Sequence, residues 1–156
     1  MRCRFQLGGT TTPRLAWASL VSSLAAAAVL LGLGIPAKAQ QGSITIELNR
    51  LESQGGQCRA YFVVNNKSST NYQELKLDLV LFRPDGVIGR RFAVDLAPLK
   101  ANKRAVKLFE LTDTSCDEVA SFLINDVMAC KAESGQIGDC LTDIAVSSLT
   151  NAQLTK

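Results

Sequence analysis

From residue 44 onward apolar and polar positions alternate with a period of two, the spacing that puts every second side chain on one face of a β-strand. Ile44, Ile46 and Leu48 alternate with Thr45, Glu47 and Asn49. Cys58, Ala60, Phe62 and Val64 share one face of a second strand. Leu75, Leu77, Leu79 and Leu81 line a third, opposite Lys76 and Asp78. Phe92, Val94 and Leu96 mark a fourth strand, and residues 104–111 a fifth. Gly55-Gly56 reads as the turn of a hairpin. Arg83-Pro84-Asp85-Gly86 is another turn, because Pro presets φ and Gly accepts a positive φ.

Residues 117–131 fit two periods. Val119, Phe122, Leu123, Val127 and Cys130 form a helical stripe, and Ser115-Cys116-Asp117-Glu118 has the capping-box pattern. Phe122, Ile124, Met128 and Cys130 alternate as a strand broken at Asp126. Every element before them is a strand, which favours strand over helix here and places a bulge at Asn125-Asp126. Leu141 to Val146 makes a seventh strand, and residues 147–156 read as a polar tail. Seven short strands separated by turns predict an all-β fold, a single immunoglobulin-like antiparallel β-sandwich over residues 40–146.

Residues 1–39 have the composition of an export signal. Arg2, Arg4 and Arg14 precede an apolar run over residues 15–35, and Ala37 and Ala39 provide the small-residue cleavage pattern. About 20 apolar residues could also anchor the chain in a bilayer. Gly32, Gly34 and the Ala37-Lys38-Ala39 ending favour cleavage, which leaves no membrane span in the mature form. Arg2-Cys3-Arg4 is not a twin-arginine pair, and no lipobox precedes Cys3. The expected route is therefore general secretion, and the expected destination a bacterial periplasm or the exterior. Four of the 17 bases and no acid lie in this segment, so 13 bases face 14 acids in the mature chain, a net of −1. The basic character that would invite nucleic acid leaves with the signal.

Tyr61-Phe-Val-Val-Asn-Asn-Lys-Ser68, Leu75-Lys-Leu-Asp-Leu-Val-Leu-Phe82 and Pro84-Asp-Gly-Val-Ile-Gly89 together resemble the FxLYD-type and related immunoglobulin-like bacterial extracytoplasmic sandwich domains. The resemblance covers roughly half of the mature chain. It implies the sandwich fold and a generic adhesion or accessory role, and it brings no active site.

The mature chain keeps Cys58, Cys116, Cys130 and Cys140. A zinc site would want ligands paired about two to four residues apart, and a redox pair would want Cys-x-x-Cys. Neither spacing is present and the chain has no histidine, so an even count in an exported domain points to disulfides. Residues 116 and 130 would lie about 46 Å apart on one strand or about 21 Å on one helix, beyond the roughly 7 Å that a bridge allows. In an up-down strand count Cys58 and Cys116 meet at one pole and Cys130 and Cys140 at the other. The expected bridges are therefore Cys58–Cys116 and Cys130–Cys140.

Little else in the chain carries chemistry. Lacking His, it cannot form Ser-His-Asp or Cys-His arrangements. Asp113, Asp117 and Glu118, like Asp139 and Asp143, lack calcium-loop spacing. In the mature chain Met128 is the one soft metal ligand besides the cysteines, and no cofactor is implied. Asn66-Lys67-Ser68 matches a glycosylation sequon, which carries no information in a bacterial export context. Charge, however, is unevenly distributed. Residues 83–107 hold seven bases against Asp85 and Asp95, whereas residues 108–143 hold eight acids against Lys131. Arg90, Arg91, Lys100, Lys103, Arg104 and Lys107 would form a basic hairpin able to dock on another envelope protein or an anionic envelope surface. The bland alternative is that the two halves neutralise one another across neighbouring strands, or protect sheet edges. The expected function is a non-enzymatic binding or accessory protein of the envelope. The alternative is a small hydrolase or lyase working with carboxylates on a sandwich face.

Overall fold

The computed structural model describes residues 42–156, so the expectations for residues 1–39 lie outside it. Its strands are β1 (Ile44–Gln54), β2 (Gln57–Asn66), β3 (Tyr72–Phe82), β4 (Ile88–Asp95), β5 (Lys103–Leu111), β6 (Ser121–Ala132), β7 (Gly135–Gln136), β8 (Ile144–Ser148) and β9 (Gln153–Thr155). One sheet runs β5-β2-β1-β8, and the facing sheet runs β4-β3-β6-β7 with β9 also paired to β6. The period-two faces meet between the sheets: Ile44, Ile46, Leu48, Ala60, Phe62 and Val64 from one pack against Leu75, Leu77, Leu79, Leu81, Val94, Phe122 and Ile124 from the other. Phe122 sits at the centre, edge-to-face with Phe62 and Phe92 at 5.8 and 6.5 Å between ring centroids. Such pairs add roughly 0.5–1.5 kcal/mol each beyond area burial.

Turn chemistry sets the registers. Gly55 and Gly56 have φ of 59° and 80°, and they close the hairpin in which Gln54 faces Gln57. An L side chain at either position would be strained. At Arg83–Val87 the Gly86 amide donates to the Arg83 carbonyl at 2.9 Å, and the Val87 amide to Asp85 Oδ1 at 3.0 Å.

Three expectations need correction. First, the sheets are mixed: β8 pairs parallel to β1 and β9 parallel to β6. Second, residues 147–156 are not a tail. β8 runs to Ser148, whose hydroxyl donates to the Ala152 carbonyl at 2.6 Å and tightens a turn, and β9 then buries Leu154. Two apolar side chains (Ala152 and Leu154) suffice to dock a segment whose composition reads as solvent-facing. Third, Met128 is 57% exposed rather than inward. β6 is a strand, as the alternation argued, but its register against β3 slips three times, once at Gln73 of β3 and twice within β6 itself. The first slip within β6 passes over Asn125, within the expected bulge, and turns Val127 inward. The second passes over Met128 and restores Cys130 to the core. The capping-box residues cap only one 3-10 turn, Cys116–Glu118, where Glu118 Oε2 accepts from the Ser115 amide and hydroxyl at 2.9 and 3.0 Å.

Both bridges form as the strand count required. Cys58–Cys116 ties the start of β2 to the segment after β5, with Cα atoms 4.8 Å apart. Cys130–Cys140 closes the loop at the other pole, with Cα atoms 6.5 Å apart. Two disulfides fit an oxidising, extracytoplasmic compartment.

Candidate docking surface

β4 and β5 do not form a hairpin. They are edge strands of opposite sheets, so the six basic residues do not share one ribbon. The seam between those edges uses two of the six. From β4, Arg90 donates through Nη1 to the carbonyl and hydroxyl oxygens of Thr112 at 3.0 and 2.9 Å, while its guanidinium lies 5.8 Å from the Phe92 ring centroid. From β5, Lys107 donates to the Ala97 carbonyl at 2.9 Å. Both charges thus brace the open side of the sandwich.

Arg91 is committed elsewhere. It faces the outer surface of its sheet and grips Asp78 of β3, Nε to Oδ1 at 2.8 Å and Nη2 to Oδ2 at 2.7 Å. Asn125 Nδ2 donates to the same Oδ2 at 2.7 Å. The Arg91 guanidinium, helped by Asn125, holds the Asp78 carboxyl below the usual carboxylate range. Asp78 is 5% exposed, so this fork makes its burial tolerable.

The remaining three, Lys100, Lys103 and Arg104, gather at one pole with a residue that the charge count passed over, Lys67. Their neighbourhood is built around Asn66, which ends β2 and is fully buried. Its Nδ2 donates to the carbonyls of Thr70 at 2.8 Å and Lys100 at 3.0 Å. Its Oδ1 accepts from the Ser68 amide at 3.0 Å and the Ser68 hydroxyl at 2.7 Å. Both ends of the amide are used, and two loops are strapped together. The straps continue: the Asn102 amide donates to the Ser68 carbonyl at 3.0 Å, and the Ala101 amide to Asn71 Oδ1 at 2.8 Å. Asn102 takes a φ of 52°, a left-handed turn position that Asn tolerates. Lys67 on one loop, Lys100 on the other, and Lys103 where that second loop enters β5 are therefore exposed on an ordered platform.

Among the described residues Lys67, Lys100 and Lys103 enter no ion pair, and Arg104 reaches Glu47 only at 3.9 Å. The acidic third does not neutralise them directly. Glu110, Asp113, Asp117 and Glu118 lie toward the opposite pole. Glu133, Asp139 and Asp143 follow β6 and β7 at the lysine pole, and Glu133 accepts from Asn71 Nδ2 at 3.3 Å, beside the strap that holds Ala101. The pole thus carries both signs, its exposed lysines on the segments flanking β5 and acids at the end of β4 and after β6 and β7.

Among the other carboxylates, Asp126 stands opposite Asp78 across β3 and β6, and Asp113 and Glu118 border one small pocket beside Arg83. Glu52 Oε2 accepts from Tyr61 Oη at 2.6 Å, which lowers the Glu52 pKa and raises that of Tyr61. Glu110 takes both Nε and Nη2 of Arg59 on Oε1, at 3.0 and 2.8 Å. An open groove of about 590 Å³ at the Cys58–Cys116 pole holds one carboxylate, Asp117, beside Asn49, Arg50, Leu149, Thr150 and Asn151. Among the described residues no cluster of three or more His, Cys, Asp or Glu could hold a metal ion. No helix among them is long and apolar enough to cross a membrane.

No protein-family model matches the chain, the FxLYD-type included, and no curated protein matches it. Among solved structures, IrmA from Escherichia coli aligns with TM-score 0.48 and 16% identity over 68% of this chain and 92% of that one. A DUF1425 family member from Shewanella sp. pv-4 aligns with TM-score 0.38 and 10% identity over 52% and 73%. Neither likeness carries an activity, a partner or a location to this chain.

Proposed function

We propose that this chain is an exported, disulfide-stapled binding or accessory module of the bacterial envelope, non-enzymatic, docking an acidic face of another envelope protein through Lys67, Lys100 and Lys103. The observation that carries this reading is the Asn66 bracket. A fully buried amide fixes two loops whose exposed products are three ammonium groups outside any ion pair among the described residues. Solvated lysines on mobile loops would need no such support. Charges presented in a fixed constellation steer encounter and select partners, which is what an accessory module requires. A protein partner is favoured over an anionic lipid surface because acids share the same pole, and a uniformly negative surface would repel them.

Affinity capture from the native envelope at low salt tests it, comparing the wild type with Lys67→Glu/Lys100→Glu/Lys103→Glu. The wild type should retain a partner that the variant loses at unchanged melting temperature. Equal capture by both refutes the docking face.

A further inference from the structure

Among the described residues β5 has β2 on one side and no strand on the other, so its nine residues present a row of unpaired backbone groups at the end of a sheet. Its outward face carries Arg104, Val106, Leu108 and Glu110 in order, and Val106 and Leu108 are 64% and 45% exposed. Read antiparallel against itself about Lys107, this face is self-complementary. Arg104 then stands opposite the partner's Glu110, and Val106 opposite the partner's Leu108. On the inner face Ala105 meets the partner's Phe109, small against large. Centring on Val106 would put Arg104 opposite the partner's Leu108, and centring on Leu108 would put Val106 opposite the partner's Glu110. Of these three registers, the one about Lys107 alone matches charge with charge and apolar with apolar.

We propose that β5 pairs antiparallel with β5 of a second copy of this chain, joining two sandwiches into a two-fold dimer through one continuous sheet. An isologous contact of this kind must use one surface on both chains, and a self-complementary strand meets that requirement. The charged ends are prepared for it. Arg59 occupies only Oε1 of Glu110, which leaves Oε2 without a hydrogen-bond partner among the described residues. Arg104 has only its 3.9 Å approach to Glu47, too long for a hydrogen bond. Lys107 meets its own copy at the axis, a like-charge contact that opposes pairing. Each Lys107 Nζ is, however, drawn to its own Ala97 carbonyl at 2.9 Å, across the sandwich seam. Lys103 of the docking face begins β5 and would stand opposite the partner's Leu111, whereas Lys67 and Lys100 lie outside the seam, so variants at 67 and 100 alone separate the two contacts.

Sedimentation velocity over a concentration series tests the pairing with four samples: wild type, Arg104→Glu, Glu110→Arg, and an equimolar mixture of the two variants. The wild type should reach a dimer. Each variant alone sets like charges opposite each other twice and should shift to monomer, with the dissociation constant raised at least tenfold. The mixture should recover the dimer, because positions 104 and 110 then carry opposite charges wherever the two variants face each other. Recovery on mixing cannot arise within one chain, which separates the seam from effects on the Arg59–Glu110 pair. Circular dichroism checks that each variant is folded. Should one unfold, Arg104→Gln and Glu110→Gln, which remove attraction without adding repulsion, should each still weaken the dimer several-fold. A wild type that stays monomeric, variants that dimerise as well as the wild type, or a mixture that stays monomeric would each overturn the proposal.

Discussion

Replacing Asn66 by Ala should weaken the fold and loosen the lysine platform without altering a single charge. Four hydrogen bonds disappear: those to the Thr70 and Lys100 carbonyls, and those from the Ser68 amide and hydroxyl. A net value of about 0.5–1.5 kcal/mol per bond gives about 2–6 kcal/mol. The loops lie at a pole and can rehydrate once opened, so the lower part of that range applies, about 2–3 kcal/mol. Against a total stability of about 5–15 kcal/mol, that is a large share. Asn66→Asp should cost at least as much, since a carboxylate would face two carbonyl oxygens with no proton to offer. Urea denaturation followed by far-ultraviolet circular dichroism measures the loss; tryptophan fluorescence does not serve, because the one tryptophan, Trp17, lies in the expected leader. Hydrogen exchange at the Ala101 and Asn102 amides reports the straps directly. A loss below about 0.5 kcal/mol, the scale of an ordinary surface substitution, with unchanged protection of both amides would refute the bracket.

The two disulfides should contribute unequally because they close loops of different length. For sequence separations of 58 and 10, loop-closure entropy gives roughly 4 kcal/mol for Cys58–Cys116 and roughly 2.5–3 kcal/mol for Cys130–Cys140. Paired Cys→Ala variants compared in urea should keep that order, and a reversed order would show that packing, rather than chain entropy, dominates. The Asp78 fork should make stability sensitive to acid. A carboxyl depressed in the folded state stabilises fully above its ordinary pKa of about 4, and the contribution is lost as pH falls through its folded value. The melting temperature should therefore drop on acidification, and Asp78→Asn should flatten part of that drop; an unchanged slope would remove Asp78 from the account.

Much of the sandwich was legible because alternation is a local signal that burial enforces along each strand. Ile44, Ile46, Leu48 and the four leucines of β3 could face only one way. β9 was hidden because Leu154 sits among polar neighbours, too short a run to show a period. Met128 misled because two bulges in β6 shift the phase by one residue and then restore it, and only partner strands reveal such slips. The bridges were legible because strand direction places cysteines at poles regardless of which sheet they join. The basic hairpin was not, because charge counted along the chain cannot tell that β4 and β5 belong to different sheets. Asn66 and Lys67 were set aside with their sequon, although an Asn closing a strand before a Ser is a familiar turn-forming pattern. Its burial, and the loop it reaches at Lys100, are tertiary facts.

The most direct test places a photo-crosslinking residue at position 67 or 100, on the lysine platform, and in separate proteins at position 150, in the groove of the opposite pole. Irradiated in the native envelope, positions 67 and 100 should yield the same discrete adduct, weakened by added salt, and position 150 should yield none. An adduct at position 150 with none at 67 or 100 would contradict the account.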